Sequence, residues 1–116
     1  MKKSVVGVTF ALLVAVACSS SLLTTEPVPG WLSTKIREFD RMGSNAPAFV
    51  ARYDYQGQVV YYVPPRCCDI PSVLYDTAGT VVCAPDGGFT GRGDGRCRDF
   101  ISQRSNEKVL WRARAA

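Results

Sequence analysis

Apolar residues recur at every second position through residues 49–55, with Arg52 and Asp54 between them, the pattern of a β-strand with one buried face. The dipeptide Gln56-Gly57 follows, and glycine tolerates the positive φ that a two-residue hairpin turn requires. Folding the chain at this turn pairs Tyr53 with Val60. We expect a helix to cover the apolar face of the hairpin, which consists of Phe49, Ala51, Tyr53, Tyr55, Val60 and Tyr62.

The segment that precedes this hairpin, residues 31–42, has a helical period instead. Leu32, Ile36 and Phe39 repeat at i, i+4 and i+7, which is one face of an amphipathic helix. Gly43 follows at the position of a helix C-cap. The sequence therefore predicts an N-terminal helix that packs on the sheet.

Further elements are predicted after the first hairpin. Residues 73–75 and 80–83 flank Asp76-Thr77-Ala78-Gly79, whose two ends suit a type I turn. We expect a short helix at residues 98–104 and a closing strand at residues 108–112. The predicted fold is α+β: an N-terminal helix packed on an antiparallel β-meander, with a glycine-rich loop, a short helix and a closing edge strand, stapled by disulfides.

The first residues have the layout of a secretory signal, with Lys2 and Lys3 before an apolar run over residues 5–17. This run is shorter than the roughly 20 residues that a membrane-spanning helix needs. Ala15-Val16-Ala17 also suits the cleavage site of an ordinary secreted protein, but Cys18 follows it directly. The arrangement resembles the lipobox of bacterial lipoproteins, in which the cysteine sulfur carries a diacylglycerol, although Ala15 stands where leucine is commonest. We therefore predict lipid attachment at Cys18.

Lipidation would divide the chain into parts with different roles. These are a signal peptide (1–17), the lipidated Cys18 with a flexible tether (18–30), a single globular domain (31–112) and a tail (113–116). We expect the protein to lie in the cell envelope, where its N-terminal lipid would attach it to the membrane. The outer membrane is favoured because Ser19 is not the acidic residue that some bacteria use for inner-membrane retention. Without the signal, 12 basic residues face 10 acidic ones, which does not indicate nucleic-acid binding.

Four cysteines remain for the globular domain: Cys67, Cys68, Cys83 and Cys97. An even number in a small exported domain predicts a disulfide framework. A bridge between the adjacent Cys67 and Cys68 would close a strained ring, so we expect these two to pair with Cys83 and Cys97. A zinc or redox site is the weaker alternative, because structural zinc sites favour two close pairs and only one pair is close here.

A glycine-rich segment lies before the last cysteine. The residues that we single out as a recognition loop are Asp86, Gly87, Gly88, Phe89, Gly91, Gly93, Asp94 and Gly95. A long loop inside a small domain is usually functional or disordered, and Phe89 and Cys97 argue against disorder. Three interpretations stay open: a structural turn, recognition of a partner, or a calcium site that includes Asp99. The spacing fits no EF-hand or phosphate-binding signature, so we predict no metal and no cofactor.

The chain has no histidine, which removes the usual base of serine and cysteine nucleophiles. Only carboxylates remain for acid–base chemistry, and a small domain has little room for a deep cleft that raises a carboxyl pKa. We therefore predict a small binding or interaction module rather than an enzyme. Its expected partner is an envelope protein or a glycan. The alternatives are a structural envelope lipoprotein, or a calcium-binding domain that uses the glycine-rich loop.

Several short motifs carry a family resemblance. They are Cys67-Cys68-Asp69, Pro85-Asp86-Gly87-Gly88 and Gly93-Asp94-Gly95-Arg96-Cys97. Together with their surroundings over roughly residues 31–112, they are similar to a family of small uncharacterised bacterial lipoproteins. The resemblance implies a periplasmic or surface lipoprotein with a four-cysteine framework. It implies no catalytic residue.

Overall fold

The computed structural model of the protein describes Gly7, residues 26–67 and residues 69–114. Apart from Gly7, the predicted signal peptide lies outside the described residues, as do Cys18, the tether up to residue 25, Cys68 and the end of the tail. Within the described ranges, no helix is long and apolar enough to cross a bilayer.

The described domain is α+β and mostly β. In chain order its elements are α1 (Gly30–Met42), a 3₁₀ turn (Gly43–Asn45), β1 (Phe49–Tyr55), β2 (Gln58–Val63), β3 (Val73–Tyr75), β4 (Val81–Cys83), α2 (Phe100–Gln103) and β5 (Ser105–Arg112). The strands form one antiparallel sheet in the order β4-β3-β2-β1-β5. The first four strands are thus the predicted meander, and β5 closes the sheet at the edge beside β1.

The first hairpin has the predicted register. Tyr53 lies opposite Val60, and Ala51 lies opposite Tyr62. Gln56 and Gly57 both have positive φ, at 51° and 73°. Positive φ at both central residues is the requirement of a type I′ turn, whose twist matches that of the flanking strands. The local sequence is therefore sufficient to determine this hairpin.

The second hairpin is stabilised by its first turn residue. The Asp76 carboxylate accepts hydrogen bonds from the backbone N–H groups of Ala78 and Thr80, both at 2.9 Å. The N–H of Gly79 donates to the Asp76 carbonyl at 3.2 Å, which closes the predicted turn. An aspartate that bonds to backbone groups two residues ahead is a common turn former.

The helix α1 packs on the opposite face of the sheet from the one that we predicted. Leu32 is fully buried against Val50, Tyr61 and Val63. The predicted face is covered instead by Phe100 and Cys97, and residues of β3 and β4 extend it. The prediction was wrong because β1 and β2 carry buried apolar residues on both faces, so their alternation did not distinguish which face the helix covers.

Two tryptophans hold α1 in place. The indole N–H of Trp31 donates to the Thr77 carbonyl in the second hairpin turn, at 2.8 Å. The indole N–H of Trp111 on β5 donates to the Asp40 carboxylate of α1, at 2.9 Å. A Cβ on Gly79 would approach the Trp31 ring to 2.9 Å, so glycine at this position lets the ring lie on the turn. The helix is therefore attached at both edges of the sheet.

The last two elements differ in extent from their predictions. The helix is limited to Phe100–Gln103, inside the predicted residues 98–104, and the N–H of Arg104 caps it by donating to the Phe100 carbonyl at 2.9 Å. The strand begins at Ser105 rather than residue 108 because its pairing with β1 extends from Phe49 to Asp54. Both differences arise from the tertiary structure, because burial of Phe100 sets the extent of the helix and pairing with β1 sets the extent of the strand.

Candidate recognition loop

The recognition loop, Asp86–Gly95, is closed at its base by backbone contacts between its two ends. The N–H of Asp94 donates to the Ala84 carbonyl at 2.9 Å. The N–H of Ala84 donates in return to the Asp94 carboxylate at 3.1 Å. A disulfide between Cys83 and Cys97 lies just outside this pair of hydrogen bonds. The two ends of the loop are therefore held together twice.

Asp86 attaches the start of the loop to the sheet. Its carboxylate oxygens lie 2.8 and 2.7 Å from the hydroxyl of Tyr62 on β2. The hydroxyl of Ser72, which is fully buried, donates to the same carboxylate. The backbone groups take part as well, because the N–H of Ser72 donates to the Asp86 carbonyl at 3.0 Å.

The glycines let the loop fold tightly upon itself. A Cβ on Gly93 would overlap the Ala84 carbonyl oxygen, and one on Gly87 would lie 2.9 Å from the Ile70 carbonyl oxygen. Gly93 also donates its N–H to the Gly87 carbonyl at 3.1 Å. Both glycines have positive φ, which other L-residues rarely adopt. This segment is an ordered loop with its own hydrogen bonds.

Asp94 is engaged by its neighbour Arg96 at the far end of the loop. The backbone N–H of Arg96 donates to Asp94 at 3.0 Å, and its Nε–H donates at 2.8 Å. These two hydrogen bonds, the backbone one first, lower the pKa of Asp94 to about 2. The carboxylate therefore stays ionised and serves to hold the end of the loop.

Phe89 is the most exposed large apolar residue of the described chain, with 95% of its surface accessible. A shallow basin of about 470 Å³ lies in the same segment of the chain but is not lined by Phe89; its lining residues are Thr90, Arg92, Gly93, Asp94, Gly95 and Arg98. Among the residues that the structure describes, the guanidinium groups of Arg92 and Arg98 form neither hydrogen bonds nor ion pairs. The loop thus presents the exposed ring of Phe89 and the cation of Arg92, and Arg98 follows just after the loop.

A family model described as a domain of unknown function, DUF6970, matches residues 39–113. The chain belongs to the DUF6970 family. The match runs from Phe39 in α1 to Ala113 after β5, so it contains the whole sheet and the recognition loop. No curated protein and no solved structure gave a significant match.

The DUF6970 domain corrects the predicted disulfide pairing. Cys83 is bonded to Cys97, with a Cα–Cα distance of 6.2 Å, so neither of them bonds Cys67 or Cys68. The physical reason is that the loop returns to the end of β4, which buries Cys83 and Cys97 together beside Phe100. Cys67 is also disulfide-bonded. Cys68 lies outside the described residues.

The carboxylates proposed for a calcium site are already bonded within the domain. The Asp86 carboxylate accepts a hydrogen bond from the Tyr62 hydroxyl, and the Asp94 carboxylate accepts one from the backbone N–H of Ala84. The Asp99 carboxylate accepts a hydrogen bond from the Tyr55 hydroxyl at 2.5 Å. In the described ranges, no three histidine, cysteine or acidic side chains lie close enough to hold a metal ion. These aspartates point into three separate hydrogen-bond networks.

Sequence reasoning missed Arg104, which the structure places over the tyrosines of the DUF6970 sheet. Its guanidinium carbon lies 4.5 Å from the centroid of the Tyr53 ring. The only available signal was that Arg104 is the last residue of the predicted short helix. Its surroundings depend on how α2 packs on the sheet, which periodicity does not show.

Proposed function

We propose that this protein is an envelope lipoprotein whose DUF6970 domain binds a partner through the recognition loop. The lipobox-like residues around Cys18 support the anchor, and the loop geometry supports the binding role. Lipidation would keep the domain at a membrane surface, since two or more acyl chains anchor a protein stably. No residue of the loop is assigned a catalytic role.

The exposed ring of Phe89 is the observation that carries the proposal. Single exposed apolar residues are common on protein surfaces. This one, however, is at 95% exposure on a loop that the core holds through Asp86 and that a disulfide closes at its base. A pre-organised loop loses little conformational entropy on binding, so its aromatic residue is well suited to be an interface hot spot.

The charges of the basin that follows Phe89 in the chain favour a partner with acidic groups. Arg92 and Arg98 line this basin without a carboxylate partner among the described residues, and its carboxylate, Asp94, is paired with Arg96. Aromatic residues and arginine are enriched at protein interfaces. We therefore favour an envelope protein with an acidic, concave surface, and treat a glycan as the other outcome of the test.

The test compares what the full chain captures from envelope fractions when one exposed side chain is shortened. Phe89→Ala is expected to lose a specific captured species and to keep the wild-type melting temperature. Val81→Ala is the matched control, because Val81 is also apolar and 51% exposed but lies on β4. Equal capture by Phe89→Ala and wild type would contradict the proposal. Digestion of the captured species by protease or by glycosidases identifies its class.

The anchor is tested separately at Cys18. Cys18→Ser is expected to release the protein from membranes into the soluble fraction. Fractionation of cells that express either form measures this, and separation of the two membranes tests the preference for the outer one. Identical partitioning of mutant and wild type would refute lipid anchoring without affecting the loop proposal.

A further inference from the structure

A cleft of about 310 Å³ opens on the face of the sheet that α1 does not cover. Side chains of the sheet and of α2 surround it: Phe49, Tyr53, Tyr62, Asp86, Ile101, Arg104, Glu107, Val109 and Arg112. Its volume is at the lower end of the range for small-molecule sites. It is separate from the basin lined by Arg92 and Arg98, with which it shares no lining residue.

On this face of the sheet, the guanidinium group of Arg104 rests on a rigid aromatic surface. The guanidinium carbon is 4.5 Å from the centroid of Tyr53 and 5.3 Å from that of Phe100. Both rings are buried and pack edge to face at 5.5 Å. Cation–π attraction of this kind holds the guanidinium in position but satisfies none of its N–H donors.

The protein supplies no acceptor for those donors among its described residues. Arg104 is half-buried, and its side chain forms no hydrogen bond or ion pair there. The two carboxylates in the cleft are engaged elsewhere. The Tyr53 hydroxyl donates to Glu107 at 2.8 Å, and the Tyr62 hydroxyl donates to Asp86. The N–H donors of Arg104 are therefore open to an acceptor in the cleft.

A bulge in β5 brings a second arginine to the same cleft. Arg112 pairs with Phe49, Trp111 with Val50 and Val109 with Ala51, so Leu110 is the extra residue. Leu110 and Trp111 consequently both pack on the α1 side. This places Arg112 on the cleft side together with Val109. In the described part of the chain, the Arg112 guanidinium also lacks a carboxylate partner.

We propose that this cleft binds the carboxylate of a small amphiphilic molecule, with Arg104 and Arg112 as its donors. The apolar part of the ligand contacts Phe49, Ile101 and Val109. Guanidinium groups bind carboxylates through paired N–H···O hydrogen bonds. A singly charged anion fits better than a dianion, because two carboxylates already line the cleft beside the two arginines.

A more enclosed cavity of the described domain has no comparable open donors. It lies beside Trp111 with a volume of about 160 Å³. Its acidic residue, Asp40, already accepts from Trp111, and Arg66 donates to the Arg114 carbonyl at 3.0 Å. The cleft around Arg104 is thus where unmet donors and apolar walls coincide.

The test uses benzoate as the probe and benzamide, which is similar in shape and uncharged, as its control. Nuclear magnetic resonance of the ¹⁵N-labelled full chain follows the Nε–H signal of Arg104 during each titration. Benzoate is expected to shift this signal in a saturable manner, and benzamide is not. Arg104→Gln and Arg112→Gln are each expected to weaken benzoate binding at least about tenfold.

Arg41→Gln is the matched control, since it removes an exposed arginine of α1 that lines neither the cleft nor the basin, and benzoate binding should be unchanged. Arg112 is exposed, so its variant keeps the test valid if Arg104→Gln destabilises the fold. Equal effects of benzoate and benzamide would overturn the proposal. So would equal weakening by Arg41→Gln and Arg112→Gln. Neither result depends on whether Phe89 binds a partner.

Discussion

The hydroxyl group of Tyr62 lies within 2.8 Å of both carboxylate oxygens of Asp86. This contact joins the second strand of the sheet to the first residue of the recognition loop. Burial, and then the hydrogen bond to Asp86, raise the pKa of Tyr62 above its ordinary value. The same contact therefore holds the loop and keeps this tyrosine protonated.

Asp86→Ala should lower the free energy of unfolding by about 2–3 kcal/mol, because buried donors of Tyr62 and Ser72 would lose a charged acceptor. Urea denaturation of the full chain measures the change. Asp69→Ala is the control, because Asp69 is exposed and makes no hydrogen bond with the described residues. Equal effects of the two substitutions would show that the Asp86 network does not stabilise the fold.

Gly93→Ala should destabilise the protein more than Gly91→Ala does. Both glycines have positive φ, at 62° and 73°, so each alanine has a similar backbone strain of about 1 kcal/mol or more. Only at Gly93 would the new Cβ also overlap the Ala84 carbonyl, whereas Gly91 has open space. Thermal unfolding of the two variants gives the comparison. Equal melting temperatures would mean that the loop does not close on Ala84 as described.

Replacing both Cys83 and Cys97 by alanine should lower stability by about 3 kcal/mol in the chain-entropy model. The bridge closes a loop whose ends are 14 positions apart, and its loss frees that loop in the unfolded chain. Urea denaturation under oxidising conditions measures the loss while other bridges stay intact. Peptide mapping that found Cys83 bonded to any other cysteine would refute the pairing.

Stability should fall as the pH rises from about 10 to about 12. Burial, together with the hydrogen bond to Glu107, raises the pKa of Tyr53 to about 12. Burial and the hydrogen bond to Asp99 do the same for Tyr55. Unfolded tyrosine titrates near about 10, so in this window the unfolded state binds fewer protons and is favoured by alkali. Below about pH 10 both states are protonated and this contribution is complete.

Urea midpoints across that pH range, with tyrosinate absorbance as the second probe, test this dependence. Tyr53→Phe removes one of the titrating groups, so its stability should fall less steeply with pH than that of the wild type. A wild-type midpoint that stays constant through the window would contradict the assigned burial of these hydroxyls.

The first hairpin shows how much of this fold is local. Alternation in β1 and the glycine of Gln56-Gly57 were enough to predict the pairing of Tyr53 with Val60, because turn type and strand period depend only on neighbouring residues. The Asp76 turn was predicted for the same reason. The extra length of β5 was not, since it depends on pairing with the distant β1.

The sequence by itself determined the meander, its turns and the existence of an amphipathic helix at Leu32. Only the tertiary structure decided which face of the sheet that helix covers, because Val50 and Tyr53 make both faces of β1 apolar and the difference lies in packing. It also decided that Cys83 bonds Cys97, since this pairing depends on where the glycine loop returns. The cleft around Arg104 arises in the same way: a bulge, a short helix and a distant strand must meet before its donors share one space.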